Sequence, residues 1–201
     1  MRKNHFLSIL LAPLCLLLTW LGTAGAASLG FNPSSLTVTQ GNSFSVDLMV
    51  AGEGSLIGAF DVDILYDQAQ MSFDGYALGT YLGDVNWGEA LDFSWGDVGG
   101  GTIDLAETSL LSPSGLAALN QPAQFTLATL DFTCLTVGTS TISIDGLDPW
   151  LAVGNELGNS LQLSSLGSVR VTQEPVPEPA TLLLLGSALT GMGVFRRRQK
   201  K

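Results

Sequence analysis

Ile57-Gly58-Ala59-Phe60-Asp61-Val62-Asp63-Ile64-Leu65-Tyr66-Asp67 is the stretch that decides the fold class. Phe60, Val62, Ile64 and Tyr66 alternate with Asp61 and Asp63. Side chains of a strand point to opposite faces in turn, so this pattern predicts a strand with an apolar face turned inward and a carboxylate face turned to water. Tyr66-Asp67-Gln68-Ala69 then reads as a turn into a short strand, Gln70 to Phe73.

The same alternation runs outward in both directions. Upstream, Ser35 to Gln40 is a short strand, Gly41-Asn42 a turn, and Ser43 to Ala51 a second strand with Phe44, Val46, Leu48 and Val50 on one face. This pair reads as a hairpin, and Gly52-Glu53-Gly54 breaks the chain after it. Downstream, Leu91 to Trp95 and Thr102 to Ala106 are strands separated by Gly99-Gly100-Gly101, and Leu110 to Asn120 has room for one helical turn. Gln124 to Val137 changes phase, with Phe125 and Leu127 in one register and Leu130, Phe132 and Cys134 in the other. Either a bulge near Leu127-Ala128 or a strand buried on both faces gives that slip. Ser140 to Asp145 points Ile142 and Ile144 inward, and Pro149 to Val153 and Leu161 to Val171 supply the last two strands. About nine short strands with glycine-rich turns and little helical signal predict an all-β antiparallel sandwich or jelly roll.

Both ends of the chain read as addresses. Arg2 and Lys3, the apolar run Phe6 to Leu21 and the small residues Thr23 to Ala27 form the three regions of a secretory signal peptide, with cleavage expected after Ala26 or Ala27. At the other end, Glu174-Pro175-Val176-Pro177 is an extended linker, followed by 16 apolar residues from Ala180 to Phe195 and then Arg196-Arg197-Arg198-Gln199-Lys200-Lys201. As a helix the apolar run spans about 24 Å, against a hydrocarbon core of about 30 Å. It is therefore short for a permanent transmembrane helix. The basic cluster beyond it belongs on the cytoplasmic side, which leaves the domain outside. The expected division is 1–27 signal peptide, 28–173 β-sandwich and 174–201 sorting segment.

Once the ends are set apart, the charge is very uneven. Between residues 28 and 175, Arg170 is the only basic side chain against 17 acidic ones. Such a surface repels nucleic acid and anionic membrane, and attracts cations and basic partners. His5 and Cys15 lie in the signal segment, so the domain has no histidine or lysine, and Cys134 has no partner for a disulfide. Ser-His and Cys-His nucleophilic systems, histidine-bound zinc and Schiff-base chemistry are thereby excluded. Cys134, in an apolar alternating strand, reads as a small buried hydrophobe.

Val176-Pro177-Glu178-Pro179, the short apolar run and the Arg196, Arg197, Arg198 cluster resemble the PEP-CTERM sorting signal of exported bacterial proteins, also known as an ice-binding protein C-terminal motif. The resemblance implies export, recognition near Pro177, Glu178 and Pro179 by an exosortase-type membrane processing enzyme, and removal of the helix after transient anchoring. It implies nothing about ice. A second resemblance rests on the opening stretch together with Leu127-Ala128-Thr129-Leu130-Asp131-Phe132-Thr133-Cys134 and Gly138-Thr139-Ser140-Thr141-Ile142-Ser143-Ile144. These look like successive strands of a cohesin domain, although the turn that often reads Asp-Pro in that family is Asp67-Gln68 here. This resemblance implies a nine-stranded jelly-roll sandwich and, by family, a dockerin-like protein partner. The matched residues are structural, so no partner-contact residue is carried over.

Three kinds of chemistry remain. Asp61, Asp63 and Asp67, with Asp145 and Asp148, are oxygen donors of the kind calcium takes, and calcium is the one cofactor that the composition invites. The plain alternative is a solvated acidic face. Carboxylate pairs such as Asp104 with Glu107, or Asp92 with Asp97, are the only basis for a glycoside hydrolase, a remote reading because acids are spread over the whole chain. Trp87, Trp95, Trp150 and Tyr81 are candidate ligand-binding aromatics, with core packing as the alternative for each. The expectation is a non-enzymatic cell-surface or extracellular-matrix module that binds a protein, or alternatively an extracellular polysaccharide.

Overall fold

The computed structural model describes residues 26–177. Thirteen strands form two packed sheets. In chain order they are β1 Ala26–Asn32, β2 Ser35–Thr39, β3 Ser43–Glu53, β4 Ile57–Leu65, β5 Met71–Leu78, β6 Ala90–Asp92, β7 Gly96–Gly99, β8 Thr102–Ser109, β9 Gln124–Cys134, β10 Gly138–Ile144, β11 Ala152–Asn155, β12 Gln162–Leu166 and β13 Ser168–Glu174. A single 3₁₀ turn, Val85–Trp87, and a short helix α1, Pro113–Ala118, are the helical pieces among the described residues.

The first sheet has the order β12-β1-β3-β9-β5 and the second β2-β13-β10-β4-β8-β6, with β11 beside β4 and β7 beside β8. The alternation in β4 is realised as expected: Phe60, Val62 and Ile64 are buried, while Asp61 and Asp63 face out. Opposing them, the inner face of the first sheet supplies Val46, Leu48, Val50, Leu130 and Phe132. Phe132 is the hub of this core, with the rings of Phe44, Tyr66 and Phe73 at centroid distances of 5.5, 5.6 and 5.6 Å. Offset and edge-on contacts of this kind add to the burial of each ring.

The phase slip in β9 is a bulge. Leu48 pairs with Ala128 and Met49 with Thr126, so Leu127 is the extra residue and both Leu127 and Ala128 are buried. Helix α1 is the helical turn expected between Leu110 and Asn120, and Ser112 caps it by accepting from the Gly115 amide.

Three expectations about strands are corrected. β2 and β3 are not a hairpin: β2 pairs in parallel with β13 in one sheet, whereas β3 pairs with β1 and β9 in the other. Leu161 to Val171 is also not one strand. Gly167 separates β12 from β13, which belong to different sheets, and a Cβ there would sit 2.8 Å from the Cα of Gly30. Similarly, the stretch expected as one strand from Leu91 to Trp95 is cut short: β6 ends at Asp92, and a separate strand, β7, starts beyond it at Gly96. These divisions help to account for thirteen strands where about nine were expected. β1 begins at Ala26, inside the small-residue stretch, and Ala27 is fully buried.

Candidate functional site

The outer faces of the two sheets differ in how their acids are satisfied. On the first sheet, hydroxyls from neighbouring strands donate to the carboxylates: Ser45 to Asp131 at 2.6 Å, Thr129 to Asp47 at 2.7 Å and Thr133 to Asp74 at 2.6 Å. That face is a closed ladder of hydroxyl and carboxylate groups.

The second sheet presents acids without such donors. Asp63 stands opposite Asp104 in the β4–β8 ladder, and Asp61 stands opposite Ala106 on one side and Ala152 on the other. Asp145 joins them through its amide, which donates to the Asp63 carbonyl at 2.8 Å. Partial burial, with Asp104 and Asp148 nearby, raises the Asp61 carboxyl above its ordinary value. For Asp63 burial again comes first, followed by Asp148, Asp104, Asp145 and Asp61. Charge accumulates here because, among the described residues, no cation offsets it; Arg170 lies on β13, with β10 between it and β4.

Aromatic side chains border this face. Trp95 is 83% exposed and its amide donates to Asp104 Oδ1 at 3.0 Å; Trp150 is 75% exposed and its amide donates to Asp148 Oδ1 at 2.9 Å. Each indole is thus fixed by its backbone to a carboxylate of the cluster while its ring stays in solvent. On the same sheet Ala59, Ala106, Ala152 and Gly154, together with Asp61 and Phe93, line a shallow groove of about 290 Å³. Small residues beside the Phe93 ring leave a surface that admits a protruding side chain.

A second concavity of about 410 Å³ lies at the open edge of the sandwich, lined by Tyr76 of β5, Asp92 of β6 and the Asp84–Asn86 segment. The Tyr76 hydroxyl donates to Asp92 Oδ2 at 3.0 Å and so ties the two sheets together at this edge. Behind Asp92, paired with it across β6–β8, is Glu107, which is 1% exposed with neither carboxylate oxygen hydrogen-bonded. Burial, with Asp92 adding to it, pushes the Glu107 carboxyl up to about 8.

The C-terminal segment matches the PEP-CTERM protein-sorting motif over residues 175–199. Among solved structures, a cohesin module from a Clostridium perfringens family 33 glycoside hydrolase superposes with a TM-score of 0.56 at 16% identity, over 77% of this chain and 100% of the module. A type II cohesin domain from the cellulosome of Acetivibrio cellulolyticus does so with a TM-score of 0.56 at 14% identity, covering 74% of this chain and 95% of that domain. The cohesin of a type I cohesin–dockerin complex from Clostridium thermocellum gives 0.54 at 13% identity, over 75% and 99%. The chain carries a PEP-CTERM sorting signal and a cohesin-like domain. At these identities the likeness shows the fold alone. No curated protein matches the chain. The sorting motif marks the cohesin-like domain for export and exosortase-mediated sorting to the surface.

The residues singled out from the sequence do not all meet on this domain. Trp95 and Trp150 border the acidic face; Trp87, 82% exposed, stands on the 3₁₀ turn beside the edge cleft. Tyr81 packs instead on Phe125, ring centroids 5.0 Å apart, and belongs with the core. Asp61 and Asp63 share the outer face, whereas Asp67 caps the next turn by accepting from the Ala69 amide. Among the described residues no group of three or more acidic, histidine or cysteine side chains is arranged to hold a metal ion. Asp104 and Glu107 point to opposite faces of β8, so they are not a carboxylate pair, and Asp97 accepts from Tyr66 rather than meeting Asp92. Cys134 is buried, and its thiol is raised first by that burial. Among the described residues no helix is long and apolar enough to cross a membrane; the 180–195 segment and Glu178, Pro179, Arg196, Arg197 and Arg198 lie outside them.

Proposed function

We propose that the protein is an exported, non-catalytic binding module, anchored transiently through residues 180–195 and then released to the cell surface or extracellular matrix, whose outer β10-β4-β8 face docks a protein partner. The observation that carries this reading is the contrast between the two outer faces. The first sheet's carboxylates are satisfied by hydroxyls of the chain itself, whereas Asp61, Asp63 and Asp104 crowd together beside two solvent-facing indoles. A partner bringing lysine or arginine relieves that crowding and gains aromatic contact at the rim. The cohesin of the matched Clostridium thermocellum structure is in complex with a dockerin, which supports a protein partner for the same architecture.

Free tryptophans equally suit stacking on sugar rings, which keeps an extracellular polysaccharide as the second reading. Salt separates the two. The immobilised protein is challenged with the native secretome and with neutral glucans at low and high ionic strength. A protein retained at low salt, released by salt, and lost with Asp61→Asn/Asp63→Asn supports protein docking. Salt-indifferent retention of a glucan, lost with Trp95→Ala/Trp150→Ala, supports the carbohydrate reading and overturns the first.

A further inference from the structure

Glu107 is a feature that the binding reading does not use. β8 runs Ile103, Leu105, Glu107 along its inner face, so a carboxyl occupies a position where the pattern calls for a third apolar side chain. Neither of its oxygens has a hydrogen-bond partner. The neighbours offer no charge to offset it. From β4 the residue in register is Phe60, from β6 it is Asp92, and across the sandwich β5 brings Tyr76, whose hydroxyl is already given to Asp92. Glu89 is engaged with the Asp84 amide, and Arg170 is separated from β8 by β10 and β4.

We propose that the Asp92–Glu107 pair is a proton-operated latch on the β6 edge: while Glu107 keeps its proton β6 stays on β8, and when the proton leaves, the segment from Asp84 to Trp95 is released. An ionised Glu107 would place two carboxylates side by side, one of them in an apolar interior without a donor. Something must then move, and the two flanks of β8 are unequal. β4 holds it through seven paired residues, Ala59–Leu65 against Thr102–Thr108. The other flank is shared by two short strands: β6 pairs at three positions, Ala90, Leu91 and Asp92, and β7 at three more with a register shift, joined by the Phe93 amide to Ala106 at 2.8 Å, the Leu110 amide to Glu89 at 2.7 Å and the Ser94 hydroxyl on the Ala106 backbone. The short edge yields first, and it carries Leu91, Phe93 and Trp95 with it. Burial places the Glu107 transition at about 8, within reach of a mildly alkaline surface.

The test is amide hydrogen exchange on the full chain, expressed as protection factors so that the intrinsic pH dependence of exchange is removed, over a series from pH 6 to pH 9. The latch predicts that protection of Phe93 and Leu110 falls at least tenfold by pH 9 while the β3–β9 amides hold. It further predicts that Glu107→Gln abolishes the fall. Asp92→Asn removes the charge that helps Glu107 hold its proton, so in that variant the fall should be complete at lower pH, and be smaller, than in the wild type. Equal protection at both ends of the series, a fall that persists in Glu107→Gln, or a fall shared by β3 and β9 would each overturn the proposal. If Glu107→Gln fails to fold, the pH at which the Asp92→Asn fall is complete decides: a shift to lower pH supports the latch, and an unmoved or higher value overturns it. None of these readouts depends on the binding partner.

Discussion

Asp63 and Asp104 face each other in register across the β4–β8 ladder, two carboxylates on one exposed surface with no basic side chain of the described residues beside them. Like charges directly opposite in a sheet destabilise it, by about 0.2–1 kcal/mol for a typical pair. Asp63→Asn should therefore raise the melting temperature in low salt. The gain should shrink in high salt, where surface charges are screened.

The same face sets a pH dependence. Asp61 and Asp63 are raised above 3.8, first by burial and then by their acidic neighbours. A group whose folded value is raised binds its proton more tightly in the folded chain, so its contribution is fully present below 3.8 and is lost as pH climbs through the raised value. Acidification from neutral pH should restore stability from this face. Thermal melts of wild type and Asp61→Asn/Asp63→Asn against pH would show the variant's advantage shrinking as the medium is acidified.

Glu107 acts in the same direction over a wider window. Its carboxyl moves from 4.5 to about 8 on folding, so its contribution is complete below 4.5 and is lost progressively up to about 8, beyond which it is constant. Glu107→Gln keeps the shape and removes the ionisation. It should match wild type near pH 4 and exceed it at pH 9, by roughly 2–4 kcal/mol from the linkage between proton affinity and stability. Denaturant melts at the two pH values measure the difference.

What is legible in the sequence is local. Alternation in 57–66 marks the inward and outward faces of β4, and the slip between Leu127 and Leu130 marks an irregularity that the pairing resolves as a bulge rather than a strand buried on both faces, because the two-residue period records only the change of phase. Partners are not legible: Ser35 to Gln40 and Ser43 to Ala51 look like a hairpin, yet β2 and β3 join different sheets, and alternation carries no record of which strand lies alongside. Glu107 has a signal that is open to reading. It continues the inward phase of Ile103 and Leu105, so the alternation alone puts a carboxylate in a buried register, although it does not reveal the facing Asp92. Trp95, Trp150 and Tyr81 look alike as candidate aromatics, and only exposure, a property of the packed sheets, separates the two indoles from the tyrosine.

Gln121 holds a junction that no pattern announces. Its amide nitrogen donates to the carbonyls of Ile57 and Tyr81 at 2.7 and 2.8 Å, and its oxygen accepts from the Ile57 amide at 2.9 Å. One side chain thereby satisfies the backbone at the start of β4 and the loop after β5. Gln121→Ala leaves three part-buried backbone groups unpaired, and an unmade bond of this kind costs about 1–3 kcal/mol. The melting temperature should fall by several degrees, with the fold otherwise retained by circular dichroism.

The exit from the domain bears on the fate of the tail. β13 ends at Glu174, paired with Thr39, and Pro175, Val176 and Pro177 continue as exposed chain. Two prolines within three residues prevent that chain from extending the ladder, since each lacks an amide donor. The exposed chain from Pro175 to Pro177 therefore leads into the sorting motif without taking part in the sandwich. Mass spectrometry of the protein from its native surface should find Arg196 to Lys201 removed, and a more acidic species than the full chain on ion exchange. Deleting Pro177-Glu178-Pro179 should leave the basic residues attached and the protein in the membrane fraction. A mature protein that still carries Arg196 to Lys201 would overturn the processing reading while leaving the fold of residues 26–177 untouched.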